Sequence, residues 1–339
     1  MRILILLPDQ PQATGNSVTA ERLCRGLRQR EHQVRLLATR ANGAAEIKNC
    51  CQNFQPQVAV LLHAYRCGAP WLDAAPRLPF TVLLTGTDIH GGLDDAGQAP
   101  VIHRVLSQAG AIFAQAAQTV TELRQRFPTL APRLHHLPPG IWLGRQSYAL
   151  RGALGVSQQT LVFLHPAGLR PVKGNLELLE IFAPLAASEI PFRLAFCGPS
   201  LEPDYSRAFF AALKRCPWAA HLGVIPPAAM AAAYREADVI LNNSRSEGLS
   251  NAVAEAAALG RPLLVTAIAG NLAVVRDGVN GFCCSTPGEF TQKAGELLRC
   301  HELRLRLSQP DGETFSPERE TAVLEKGLLG LVQKVSRPG

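Results

Sequence analysis

Long apolar runs are the first thing this sequence lacks. No stretch approaches the roughly 18 unbroken apolar residues that a membrane-spanning helix needs. The opening MRILILLPDQ holds only Ile3–Leu7 before Pro8. That run is shorter than a signal-peptide core and no small-residue cleavage site follows it, so a cytoplasmic protein is expected. Cys-x-x-Cys is also missing. The nine cysteines are odd in number and include the adjacent pairs Cys50–Cys51 and Cys283–Cys284. Without a secretory signal they read as reduced thiols, with neither a zinc site nor a thioredoxin-like site signalled. No block of Lys and Arg suggests a nucleic-acid tail, so no nucleic-acid partner is expected. G-x-G-x-x-G and G-x-x-x-x-G-K-[ST] are both absent, which argues against a dinucleotide cofactor and a P-loop. Asp94-Asp95 is the one adjacent acid pair, and nothing requires it to bind a metal. The expectation is therefore no cofactor and no metal.

What is present is a soluble-type composition, 47% hydrophobic and 18% charged over 339 residues, with a formal net charge of +7. The length suits two domains. The mild basic excess suits anionic small molecules or an anionic surface without choosing between them. Arg22, Arg25 and Arg28 recur every third residue on a helical pattern at 18–30, which reads either as a solvated face or as a weak peripheral membrane contact.

Short apolar runs alternate with helical patterns from end to end. Residues 2–7, 33–38, 58–63, 80–85 and 111–115 read as strands buried on both faces, with helices at about 18–30, 43–54, 97–109 and 116–127. RLHHLPPGIW (133–142) reads as a last strand before a Pro-Pro-Gly break, and the domain boundary is placed after it. The alternation restarts with strands at 161–168, 193–198, 220–224, 239–243, 262–267 and 281–284. Ser316-Pro317-Glu318 is a helix-start signal for a final helix at about 317–334. The expected fold is α/β: two doubly wound, Rossmann-like parallel sheets, spanning 1–142 and 143–315, with a C-terminal helical segment at 316–339. Ligands of such sheets bind beyond the carboxyl ends of the strands, so the site is expected in strand-to-helix loops facing a central cleft.

Five loops carry candidate chemistry. Gly15 and Asn16 follow the first strand and suit either a turn with a helix cap or a close approach to a ligand. Thr85, Thr87 and Asp88 gather around Gly86 at another strand end, a pattern typical of a site that touches a substrate and expected here on the acceptor side, and His63 ends a strand on the same edge, as scaffold or as functional group. Gly168-Leu169-Arg170-Pro171-Val172-Lys173-Gly174-Asn175 precedes a helix, and its two cations and helix N-terminus suit an anion. Gly270-Asn271 lies in a glycine-bearing strand-end loop. In SRSEGLSNAVAEAAALGRP, Ser250 can cap a helix that Gly260 stops, and Glu255 is the lone charge on an apolar helix. A buried carboxylate needs compensation. Either adjacent sugar hydroxyls or a buried arginine could supply it. Glu247, Gly248 and Leu249 precede that helix.

EGLSNAVAE, with two glutamates separated by seven residues, resembles the signature of the retaining glycosyltransferases of family 4, which have the GT-B fold. GLRPVKGN is similar to that family's donor-diphosphate loop, FCGPS to its strand-end glycine segment around Gly198, and GRPLLVTAIAGN to its last nucleotide-binding stretch. TGNSVTA, LLHAYR and TGTD are similar to a small subgroup that includes the glycosyltransferase-1-domain-containing proteins of animals, and more distantly to the bacterial selenosugar synthases. The chain departs from many members at Thr85, where they carry a histidine. The resemblance implies a metal-independent transferase using a nucleotide sugar, with uridine as the expected base and the acceptor unknown. It implies that Glu255 holds the ribose hydroxyls and that Glu247, with the backbone of Gly248 to Ser250, positions the donor sugar. Arg170 and Lys173 would neutralise the diphosphate, with Gly15 near the diphosphate and Asn271 near the donor. The final helix would return to the first domain. Transfer to a selenium nucleophile, nucleotide-sugar epimerisation and non-catalytic sugar-nucleotide binding stand as alternatives.

Overall fold

The computed structural model describes residues 1–9, 15–86, 88–89, 91–310 and 314–336, with side chains as far as residue 333. By proximity the chain divides into two units. One comprises residues 1–140, 247–249 and 315 onward; the other comprises 141–246 and 250–314.

The first unit holds β1 (Arg2–Pro8), β2 (Gln33–Thr39), β3 (Val58–Leu62), β4 (Phe80–Leu84), β5 (Ala111–Ala114) and β6 (Leu134–His136). They form a six-stranded sheet in the order β2-β1-β3-β4-β5-β6, parallel throughout. Its strands are unbroken apolar runs because both faces are covered. Leu4, Leu6, Ala59, Leu61, Val82 and Ile112 enter one core. Ile3, Ile5, Val58, Val60, Leu83 and Phe113 enter the other. This is the period-two alternation of a strand with apolar residues on each side.

The second unit holds β7 (Leu161–Pro166), β8 (Phe192–Cys197), β9 (Ala219–His221), β10 (Val239–Asn242), β11 (Leu263–Thr266) and β12 (Gly281–Cys284). Its six strands are also parallel, in the order β12-β11-β10-β7-β8-β9. The order runs one way from β7 to β9 and the other way from β10 to β12. The reversal therefore falls between β7 and β10, where a doubly wound sheet opens for a ligand. In the first sheet the reversal falls between β1 and β3.

Local expectations are corrected in four places. A helix at Gly68–Ala74 was not foreseen, because Gly68 and Pro70 look like loop residues; both sit in its first turn, where proline is tolerated. The first helix spans Gly15–Gln29, so Gly15 and Asn16 are its opening residues where a turn before the helix was expected. The segment around Gly270 and Asn271 is a one-turn helix, Ala269–Leu272, not an open loop. The expected arginine stripe is broken, because Arg22 is buried and bonded to Glu320 while Arg25 and Arg28 stay exposed.

The C-terminal helix Pro317–Ser336 belongs to the first unit. Ser316 Oγ accepts from Arg319 N at 3.2 Å and caps it. Leu324, Leu328 and Leu331 recur at helical spacing and enter the core beside Phe113. Arg22 Nε and Nη2 each donate to the Glu320 carboxylate at 2.9 Å, with both side chains almost fully buried. A buried pair of this kind is costly to break because one charge stays behind without its partner. Arg22→Met alone should lower stability by about 3–5 kcal/mol, read as a lower urea midpoint, and adding Glu320→Leu should recover most of the loss. A single variant as stable as wild type would refute the assignment.

Candidate functional site

The loops at the reversal of the second sheet are tied by side-chain hydrogen bonds where the backbone ladder ends. After β7 the chain continues pairing with the segment beyond β8: Ala167 N donates to Cys197 O and Leu169 N to Pro199 O. Gly198 lies in that segment, at the end of β8. Pro171–Lys173 then makes a 3-10 turn that delivers the chain to the helix Asn175–Phe182. Gly174 is its pivot, with φ +62°, and a Cβ there would stand 2.5 Å from Asn243 Nδ2 and Asn243 O. Asn243 Nδ2 instead donates to Gly174 O at 2.9 Å, joining the loop after β7 to the end of β10.

A second set of bonds runs from β10 to β11. Asn271 Nδ2 donates to Thr266 O at 2.9 Å and to Asn242 Oδ1 at 3.2 Å. Ser244 N also donates to Asn242 Oδ1, and Asn242 Nδ2 donates to Ser250 Oγ at 3.0 Å. Ser250 Oγ in turn accepts from Val253 N and caps the helix Asn251–Ala258 as expected, with Gly260 in the left-handed conformation just past its end. Sequence reasoning treated Asn242 and Asn243 as plain strand residues. The signal was two amides closing an otherwise apolar strand, where an unsatisfied polar group is expensive.

Three buried polar atoms along this chain of bonds have no hydrogen-bond partner: Arg170 Nε, Asn175 Nδ2 and Asn271 Oδ1. Asn175 and Asn271 are fully buried, and Arg170 N donates to Asn175 Oδ1 at 3.4 Å. Leaving a buried polar atom unmatched costs about 1–3 kcal/mol, so each is a place where a ligand atom would be welcome. The helix Asn175–Phe182 adds its positive end. Its first turn is braced by Tyr205, whose hydroxyl accepts from Leu176 N at 3.0 Å and donates to Glu177 Oε2 at 3.3 Å. Burial pushes that phenol up to about 12, so it stays protonated. Lys173 is partly exposed in the same turn.

Glu255 is half-buried, not sealed in a core as expected. The helix turns Val253, Ala254, Ala256 and Ala257 inward and leaves Glu255 at the margin. Its Oε2 accepts from the Tyr234 hydroxyl at 3.0 Å. Cys197, at the end of β8, is fully buried with its thiol pushed up to about 12 by desolvation, which makes it an inert wall.

In the first unit, His63 and Asp88 follow β3 and β4. Asp88 is fully buried, and its carboxylate accepts from Ala64 N at 2.8 Å, Thr85 N at 3.0 Å and Gly86 N at 2.9 Å. It therefore clamps two strand-end loops together; the direct acceptor contact expected of Asp88 does not fit a carboxylate sealed by three backbone N–H groups. Thr85 Oγ1 is buried with no hydrogen-bond partner. Thr87 lies outside the described residues. Glu247, Gly248 and Leu249 belong to this unit. A Cβ on Gly86, which has φ +108°, would stand 2.4 Å from Gly248 N, so the two backbones meet only because both residues lack side chains.

His63 is 2% exposed and has φ +96°, a conformation costly for a residue with a Cβ. Its Nδ1 accepts from Tyr65 N and Arg66 N at 3.2 and 3.1 Å, which leaves the proton of the neutral ring on Nε2. Burial lowers its pKa below 6.5, with Asp88 opposing and Arg66 assisting.

Residues 159–300 match the family described as Glycosyl transferases group 1. The chain is 27% identical over 302 residues to Glycosyltransferase 1 domain-containing protein 1 of Xenopus tropicalis, covering 87% of each. Sucrose-phosphate synthase from Thermosynechococcus elongatus superposes with a TM-score of 0.77 at 14% identity, covering 99% of this chain and 98% of that one. The chain has the GT-B fold of the glycosyltransferases. Anabaena HepE in complex with UDP and glucose shares this GT-B fold, with a TM-score of 0.71, 16% identity, and coverage of 99% of this chain and 98% of that one. Among the described residues no group of three or more His, Cys, Asp or Glu is placed to hold a metal, and no helix is long and apolar enough to cross a membrane.

The depressed pKa of His63 has a consequence for stability. Its folded value lies below the 6.5 of the unfolded chain, so its contribution is intact above 6.5 and declines as pH falls from there towards the folded value. His63→Gln should remove that part of the pH dependence of the unfolding midpoint between pH 7 and 5. An unchanged profile would show that His63 titrates alike in both states.

Proposed function

We propose that the chain is a retaining glycosyltransferase of family 4 that moves a sugar from a UDP-sugar to an acceptor, without a metal, in the cytoplasm. The observation that carries this reading is the set of buried, unmatched atoms Arg170 Nε, Asn175 Nδ2 and Asn271 Oδ1, joined by hydrogen bonds around the reversal of the second sheet. They fall inside the segment that matches the group 1 glycosyl transferases. HepE, with the same fold, was crystallised with UDP and glucose, which supports uridine as the base.

Transfer breaks the bond between the anomeric carbon and the diphosphate oxygen, and negative charge grows on that oxygen. Arg170, the ammonium of Lys173 and the positive end of the helix Asn175–Phe182 are set to receive it. A preorganised group aimed at developing charge is worth about 3–4 kcal/mol. Retention follows if the acceptor oxygen attacks from the face the diphosphate leaves, giving its proton to a phosphate oxygen. Glu255 accepts from the ribose hydroxyls, and Glu247 with the backbone of Gly248 to Ser250 orients the donor sugar. Gly198 and Gly270 allow close approach of backbone to donor. His63, held neutral, is assigned the acceptor side with Thr85.

Release of UDP from UDP-glucose and UDP-N-acetylglucosamine tests the proposal. Wild type should release UDP, faster with a productive acceptor. Arg170→Ala should lower kcat by about 100–1000-fold with a smaller change in KM. Release equal in wild type and Arg170→Ala would sink the reading.

A further inference from the structure

Glu255 is the lone charge on the helix Asn251–Ala258, and a glutamate side chain turns about three bonds. A carboxylate that must meet two neighbouring hydroxyls in fixed geometry works only if something holds it. Tyr234, on the separate helix Pro227–Glu236, is placed to do so. The helix Pro227–Glu236 buries Ala229, Ala231, Ala233 and Tyr234, so a single phenol stands in an alanine face. Tyr234 is 1% exposed, which leaves its ring no room to turn away. Its hydroxyl donates to Glu255 Oε2 at 3.0 Å. A buried tyrosine hydroxyl needs a partner, and phenylalanine would fill the same volume without that need. Burial first, then the charge of Glu255, raises this phenol well above its usual 10, so it remains a donor at every working pH.

We infer that Tyr234 is a positioning residue for Glu255, pinning Oε2 so that the carboxylate meets the vicinal hydroxyls of a nucleotide ribose in one orientation. The inference rests on the reading that Glu255 contacts the ribose. It adds a residue from a different helix to the recognition of a nucleoside diphosphate. It also makes the buried hydroxyl, not the ring, the element that matters.

Calorimetric titration of UDP and 2′,3′-dideoxy-UDP into wild type and Tyr234→Phe decides it, with thermal unfolding to confirm that both are folded. Wild type should bind UDP more tightly than the dideoxy form. Tyr234→Phe should weaken UDP about tenfold, as expected for one hydrogen bond to a charged group, and leave the dideoxy form unchanged. Without ribose hydroxyls the aim of Glu255 has no effect. In a Glu255→Gln background the same substitution should cost little, because the two residues act as one unit. Equal weakening of both nucleotides, or none for UDP, would overturn the inference and make Tyr234 a core residue. Wild type that binds both nucleotides alike would instead overturn the ribose contact of Glu255, an outcome visible before any variant is measured.

Discussion

The side-chain hydrogen bonds at the carboxyl end of the second sheet depend on β10 lying beside β7. Two neighbouring parallel strands that send their chains in opposite directions leave backbone groups at their carboxyl ends without a ladder to join. Asn242 and Asn243 solve that locally: one amide ties the loop after β7, the other ties Ser244 and the cap of the next helix. Asn271 extends the same bonds to β11. The result is a rigid edge made of neutral side chains, onto which Arg170 and Lys173 add charge.

Such an edge carries its own cost. Fixed groups that hold unmatched buried atoms, as Arg170, Asn175 and Asn271 do, give up part of the stability that full pairing would supply. Preorganised charge stabilisation requires this kind of arrangement, because donors that reorganise during the reaction give back part of what they contribute. The first unit shows a parallel case at its own strand ends. There His63 keeps a strained backbone while Asp88, with three backbone N–H groups, secures the loops on either side. In both units strand ends are braced by a short polar side chain.

The strands were legible because burial on both faces leaves continuous runs such as ILILL and VAVLL, which no helix of this length needs. The helix Gly68–Ala74 was hidden because propensity reads Gly and Pro as breakers, while position in the first turn excuses them. Glu255 was legible as an anomaly but not in its surroundings. Whether an isolated carboxylate on an apolar helix is sealed or marginal depends on which turn meets the sheet, and here the alanines do. Tyr234 was invisible for a related reason: its partner lies 21 residues away on another helix, and no local pattern links them. Asp88 read as a substrate contact because polar residues at a strand end have two uses, and only its three N–H partners distinguish clamp from contact.

The central claim is that the reversal of the second sheet is built to receive a nucleoside diphosphate. Hydrogen–deuterium exchange with and without saturating UDP tests it most directly, since it reports where the ligand lies without requiring the acceptor. Protection concentrated in residues 168–176 and 243–256 is the predicted result. UDP-dependent protection confined to other segments, with these loops unchanged, would contradict it.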